Sequence, residues 1–175
     1  MQMKKLSTEN LNLLPEPSKL KNICKSIAVL EAIICPEWEY RYYSYQKDWS
    51  ETEEFCEMRN GQGDQMLIVF SGNGTCINGF AHESEMNGWT DVAIEEKKSF
   101  FEKIFGSNKE SKTELTQVIP IGVVDELPKV FNEFIFGEPV KTIGTTFCIW
   151  QNKTDIDWKT GKINIHKDEY KDGSS

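Results

Sequence analysis

The sequence predicts an α+β fold: a single domain with a mostly antiparallel sheet of five to seven strands and about three helices. Three observations predict it. Short apolar runs such as Met66-Leu67-Ile68-Val69-Phe70 and Phe147-Cys148-Ile149-Trp150 are bounded by turn residues, as strands are. Two other stretches, from Ser18 and from Asp125, carry apolar residues at helical spacing. The chain has 175 residues, the size of one domain, and no internal repeat or linker divides it. Residues 1–17 read as a flexible lead-in, 18–166 as the domain and 167–175 as a polar tail.

Taken in order, the first element is a helix from Ser18 to Cys35. Leu20, Ile23, Cys24, Ile27, Ala28 and Ile34 form its inward face, with Ser18 as N-cap and Pro36 enforcing the stop. Residues 38–45, Trp-Glu-Tyr-Arg-Tyr-Tyr-Ser-Tyr, favour a pleated surface and predict a strand. Trp38, Tyr40 and Tyr42 would share one face, and Tyr43 and Tyr45 the other. Such an aromatic stripe serves either as a half-buried sheet face or as a platform for a small ligand. Residues 50–58 admit two readings, a capping box at Ser50-x-x-Glu53 or an edge strand. Asp91 would cap a helix over 93–105, and 106–113 would form a lysine-bearing loop. Residues 118–124, broken by Pro120, read as an edge strand or a buried loop. Asp125 would cap a helix to Phe136 that presents Leu127, Phe131, Phe134 and Ile135 inward, closed by a left-handed Gly137. Residues 145–150 and 162–165 read as two strands of a hairpin.

Composition excludes several classes of function. A formal charge of −8 provides no basic surface for nucleic acid and suits a basic protein partner. No apolar run is long enough for a membrane span, and the N-terminus reads as no signal peptide. The five cysteines form no C-x-x-C pair, so neither a zinc ribbon nor a redox motif is present; they fit a reducing, cytoplasmic setting.

The densest stretch is residues 59–87. Asn73-Gly74 between two apolar runs predicts a hairpin with a type I′ turn. Counting outward pairs Phe70 with Ile77 and Leu67 with Phe80, and brings His82 beside Gln65, next to Asp64. Both faces of this hairpin carry buried-type residues, which places it inside the sheet. Its open end assembles Arg59, Asp64, His82, Glu83 and Glu85. A carboxylate orienting an imidazole is half of a nucleophilic site, so Asp64, His82 and Glu83 are the catalytic candidates if the protein is an enzyme. The constellation stays incomplete, because no G-x-S-x-G elbow is present and H-E-S-E is not a zinc signature. Turn formation and rim hydrogen bonding account for the same residues without chemistry. Trp158, across a polar loop from Trp150, is either a partner anchor or a core residue.

Arg59-Asn60-Gly61-x-Gly63-Asp64, Gly79-Phe80-x-His82-Glu83-Ser84 and Thr145-Thr146-Phe147-Cys148-x-Trp150, with Trp158-x-x-Gly161 beyond, resemble a family of uncharacterised bacterial proteins over residues 38–170. The resemblance implies no activity and assigns no catalytic residue. By size and acidity alone the chain is similar to immunity proteins that neutralise bacterial toxins. The expectation is therefore a non-enzymatic cytoplasmic binding protein with no cofactor and no metal, its candidate contacts being Arg59, Asp64, His82, Glu85, Tyr43, Tyr45 and Trp158. A small hydrolase or metal-dependent enzyme and a small-ligand domain on the tyrosine face are the alternatives.

Overall fold

The structure, a computed structural model, describes residues 7, 8, 10–84, 86, 89–93, 113–117, 119, 120 and 122–162. Its first long element, α1, spans Pro17–Ile34. Pro17 occupies the first helical position, where a missing N–H costs nothing, so the helix begins one residue before the expected Ser18 cap. The covered line along α1 is Leu20, Cys24, Ile27, Ala28 and Glu31, and Cys24 alone is buried. Ile23 and Ile34 were expected on that line but are exposed, Ile34 to 80%. Ten residues at the helical repeat carry Ile34 roughly 80° around the axis from Cys24.

After the helix, two arginines shape the chain. Arg41 donates from Nε to the Cys35 carbonyl (2.8 Å) and from Nη2 to that of Pro36 (2.7 Å), satisfying acceptors at the helix end. Arg59 donates to the carbonyls of Arg41 (3.2 Å) and Trp38 (3.0 Å). Drawn in by these donors, residues Trp38–Tyr40 form a 3-10 turn instead of the expected strand, which begins only at Tyr43.

The main sheet contains β1 (Tyr43–Gln46), β2 (Glu53–Arg59), β3 (Gln65–Ser71), β4 (Gly74–Phe80), β7 (Phe147–Asn152) and β8 (Lys159–Thr160), in the order β1-β2-β3-β4-β7-β8. Every neighbouring pair is antiparallel. The intervening β5 (Trp89–Ala93) and β6 (Thr113–Gln117) pair separately. With three α-helices among the described residues, this is the α+β architecture the sequence predicts. Residues 50–58 resolve as strand: Ser50 closes a turn onto Glu53, and β2 lies inside the sheet rather than at its edge. Asp91 lies within β5, and the expected helix body and loop over 94–112 fall outside the described residues.

Side chains alternate across the sheet and make two cores. On one face Phe55, Leu67, Val69, Cys76, Cys148 and Trp150 pack against the returning segment 119–143. On the other, Cys56, Ile68, Phe70, Ile77, Ile149 and Trp158 pack against α1 and the lead-in. The segment 122–127 is a series of turns with Val123 fully buried, so the described end of the run expected over 118–124 takes the buried-loop reading; residues 118 and 121 fall outside the described residues. The helix expected over Asp125–Phe136 shortens to a 3-10 turn at Lys129–Phe131 and α2, Asn132–Phe136. Glu126 at φ 65° and an extended Pro128 keep the earlier residues out of it, while Phe131, Phe134 and Ile135 still point inward. Gly137 is extended, and the left-handed glycine is Gly144, which follows α3 (Val140–Ile143). The last hairpin pairs Ile149 with Thr160, closer in sequence than expected; of its predicted second strand, residues 163–165 fall outside the described residues.

Candidate functional site

The β3–β4 hairpin positions the predicted cluster, with a register two residues away from the expected one. Ser71 pairs with Gly74, Phe70 with Thr75 and Gln65 with Phe80. Gly72 and Asn73 form the turn, and neither has positive φ. The Ser71 hydroxyl accepts from the Asn73 amide and donates to the Gly74 carbonyl, both at 3.2 Å. Gly74, at φ 140°, lets β7 approach: an added Cβ would lie 2.4 Å from the Gln151 carbonyl oxygen. A shift of two preserves every side chain's face, so the buried set is the expected one while each pairing moves.

That shift sets what Asp64 and His82 do. Strand β4 ends at Phe80, and His82 sits in the exposed turn that follows. Asp64 Oδ1 accepts the His82 amide N–H at 2.9 Å, and its Oδ2 accepts from Asn60 Nδ2 at 2.7 Å. Asn60 Oδ1 in turn accepts the amides of Gln62 and Asp64. The carboxylate thus gathers backbone and amide donors and ties two loops together. Gly63 packs on the His82 side chain, where an added Cβ would fall 2.9 Å from its Cβ and Cγ. Glu83 is exposed, and Glu85 falls outside the described residues.

The sequence motifs adjoin across neighbouring strands. Gly79 faces Phe147, whose ring comes within 2.0 Å of where a Gly79 Cβ would lie. Thr146 accepts the Ala81 amide and donates to the Gly79 carbonyl. Fully buried Asn78 donates to the Gly144 carbonyl and accepts from the Thr145 hydroxyl, both at 2.8 Å. These contacts give the motif residues a role in holding β7 against β4.

Of the remaining predicted site residues, Trp158 is buried and donates from Nε1 to the Pro15 carbonyl at 2.9 Å, anchoring the lead-in. Tyr43 and Tyr45 are half-buried. The Tyr45 hydroxyl donates to Glu54 at 2.7 Å, and Glu54 also receives Lys21 and Lys25 from α1. Burial opposes the Glu54 charge, but hydrogen bonds from both lysines and from Tyr45 outweigh it and hold its pKa at about 2. Desolvation and the same carboxylate push the Tyr45 phenol well above its ordinary range.

Arg59 leads to a surface that the spacing analysis did not isolate. Its guanidinium lies 4.6 Å from the centre of the Trp38 ring and, with its bonds to the Trp38 and Arg41 carbonyls, holds that indole at the surface. Trp38 is 54% exposed, Tyr40 66% and Ile33 71%; Val29, Leu30, Ile34 and Tyr42 are exposed as well. Isolated exposed apolar residues are ordinary, but a grouping of this size at the end of one helix and the turn beyond it is what contact surfaces present. Glu31, Glu37 and Glu39 punctuate the same stretch. The signal in the sequence was residues 27–35, which are apolar at every position except Glu31 although only one face meets the sheet.

A cavity of about 440 Å³ lies at the turn end of β4, between Trp150, Trp158, Glu126 and Asp155, away from His82. Its carboxylates already serve Lys159 and Lys162. Among the described residues no group of three or more His, Cys, Asp or Glu is placed to hold a metal, and no helix is long and apolar enough to cross a membrane. The chain matches no protein-family model, no curated protein and no solved structure in comparisons with each.

Proposed function

We propose that this is a non-enzymatic binding protein whose partner is a basic protein, docking on the C-terminal half of α1 and the turn at Trp38–Tyr40. The observation that carries the reading is the exposure of Ile33, Ile34, Trp38 and Tyr40 side by side along the chain, with carboxylates between them. Aromatic anchors with apolar neighbours supply most of the energy in protein interfaces. The acidic residues, and a net charge of −8, favour a partner of opposite sign and speed its encounter. An immunity factor that neutralises a basic toxin domain in the cytoplasm is the form of such a protein that its size and acidity suit. The loop-tying role of Asp64 favours this reading over hydrolysis at His82, and the half-burial of Tyr43 and Tyr45 favours it over a tyrosine platform for small ligands.

Photo-cross-linking from positions 33 and 40 in living cells tests it. The expected product joins both positions to one basic protein, weakens in high salt, and disappears when the chain also carries Leu30→Asp/Ile34→Asp, a variant whose unfolding midpoint is unchanged. Cross-links that persist in that variant, or that join only two copies of this chain, overturn the proposal.

A further inference from the structure

The cavity at the turn end of β4 is bordered by no residue of α1. Its walls come from Leu11 in the lead-in, Glu126 and Pro128 in the turns before α2, Trp150 and Asn152 on β7, and the chain from Trp158 into β8. A volume of about 440 Å³ falls within the roughly 300–1,000 Å³ of small-molecule sites. Trp150 borders it at 1% exposure and Trp158 at 8%, so both indoles present edges and neither an open face. Trp158 directs its N–H to the Pro15 carbonyl at 2.9 Å. The N–H of Trp150 has no acceptor among the described residues. Neither has the side-chain NH2 of Asn152, whose oxygen accepts the Lys153 amide at 2.8 Å. Buried donors are nearly always bonded, to protein, water or ligand, and these two adjoin the cavity.

The charged groups there are already matched. Asp155 receives Lys159 at 2.7 Å and the Asn152 amide at 3.1 Å, and Glu126 receives Lys162. Two carboxylates against two ammonium groups leave the walls without net charge. A ligand ion would have to break one of these pairs, whereas a hydroxyl can add to the lone pairs a carboxylate keeps. Thr160 donates to the Cys148 carbonyl at 2.7 Å and also keeps lone pairs with which to accept. A flat aromatic ligand would need the indole faces that burial closes.

We propose that this cavity binds a neutral, hydroxyl-rich small molecule of the monosaccharide class. Sugar hydroxyls both donate and accept, so one ring can take the N–H groups of Trp150 and Asn152 and give hydrogen bonds to Asp155, Glu126 and Thr160. Its C–H groups would lie against Leu11 and Pro128. The inference does not depend on what docks at the outer face of α1. Because Leu11 borders the cavity and Trp158 holds Pro15, an occupant would fasten the lead-in to the end of the sheet.

The test is saturation-transfer NMR on the full chain with D-glucose, D-galactose, D-mannose and N-acetyl-D-glucosamine. Glucose 6-phosphate and choline serve as charged comparisons. At least one neutral sugar should give a saturable signal whose Kd is the same at low and high salt. Its binding should slow amide exchange across residues 11–14. Asn152→Asp keeps the oxygen that accepts from Lys153 and removes the free donor, so it should weaken that Kd about tenfold. Trp150→Phe, which gives up no hydrogen bond within the described residues, should weaken it to a similar extent; urea midpoints report that each variant is folded. Silence from all four neutral sugars overturns the proposal. So does tighter binding of glucose 6-phosphate or choline than of every neutral sugar, or a Kd unchanged in both folded variants.

Discussion

The amide N–H of His82 donates to Oδ1 of Asp64 across 2.9 Å, so the carboxylate holds the histidine's backbone in place. The same carboxylate accepts from the Asn60 side chain, and it joins the β2–β3 loop to the turn after β4. Asp64→Ala should cost about 2 kcal/mol, the usual scale for hydrogen bonds to a charged acceptor. Asp64→Asn, which keeps one acceptor, should cost less. Urea unfolding followed by tryptophan fluorescence reads both, and an unchanged midpoint for Asp64→Ala would show that the carboxylate holds nothing.

Gly79→Ala should destabilise by about 1–3 kcal/mol, because the new methyl meets the Phe147 ring. The cost is specific to that pair. In the double variant with Phe147→Leu it should fall below the sum of the two single costs by about 1 kcal/mol, measured as a double-mutant cycle. Strict additivity would place the strain elsewhere.

Asn78→Ala should cost about 2–3 kcal/mol, since it removes a buried hydrogen bond to the Gly144 carbonyl and another from the Thr145 hydroxyl. Hydrogen exchange should speed first in β7, whose attachment to β4 these bonds reinforce. A uniform change across the sheet would contradict that assignment.

Glu54 supplies the pH dependence of α1. Its ordinary pKa of 4.5 falls to about 2 in the fold, so its contribution is present above pH 4.5 and is lost as pH drops toward 2. Partial exposure limits this contribution to on the order of 1 kcal/mol. Comparing urea midpoints of the native chain and Glu54→Gln between pH 6 and 2 should show the two curves converging at the acid end. Parallel curves would remove Glu54 from the acid response.

The sequence disclosed the faces of the central hairpin more faithfully than its pairings. A two-residue slip is invisible to apolar alternation, and the choice of turn fell to the Ser71 hydroxyl, which competes with the Asn73-Gly74 signal. The proximity of Asp64 and His82 was legible for that reason, but the group that bonds was not. The aromatic run at 38–45 misled because strand propensity takes no account of distant donors. Arg59 bonds the carbonyls of Trp38 and Arg41 from a neighbouring strand, and that contact is set by the fold as a whole. Helix α1 was recognised by its spacing; its outer face was visible only as a surplus of apolar residues that one covered side could not use.

Among the described residues the main sheet ends on one side in the four-residue β1 and on the other in the two-residue β8, around interior strands of six or seven residues. Outer strands this short offer an extended chain little length along which to add, which guards against fibril growth by strand recruitment. The apolar residues that do face outward sit on a helix, whose interior N–H and C=O groups bond along its own axis. Attraction through them is confined to side chains. At α1 and at the described edges of the main sheet, adhesion is therefore a matter of side chains and not of strand addition.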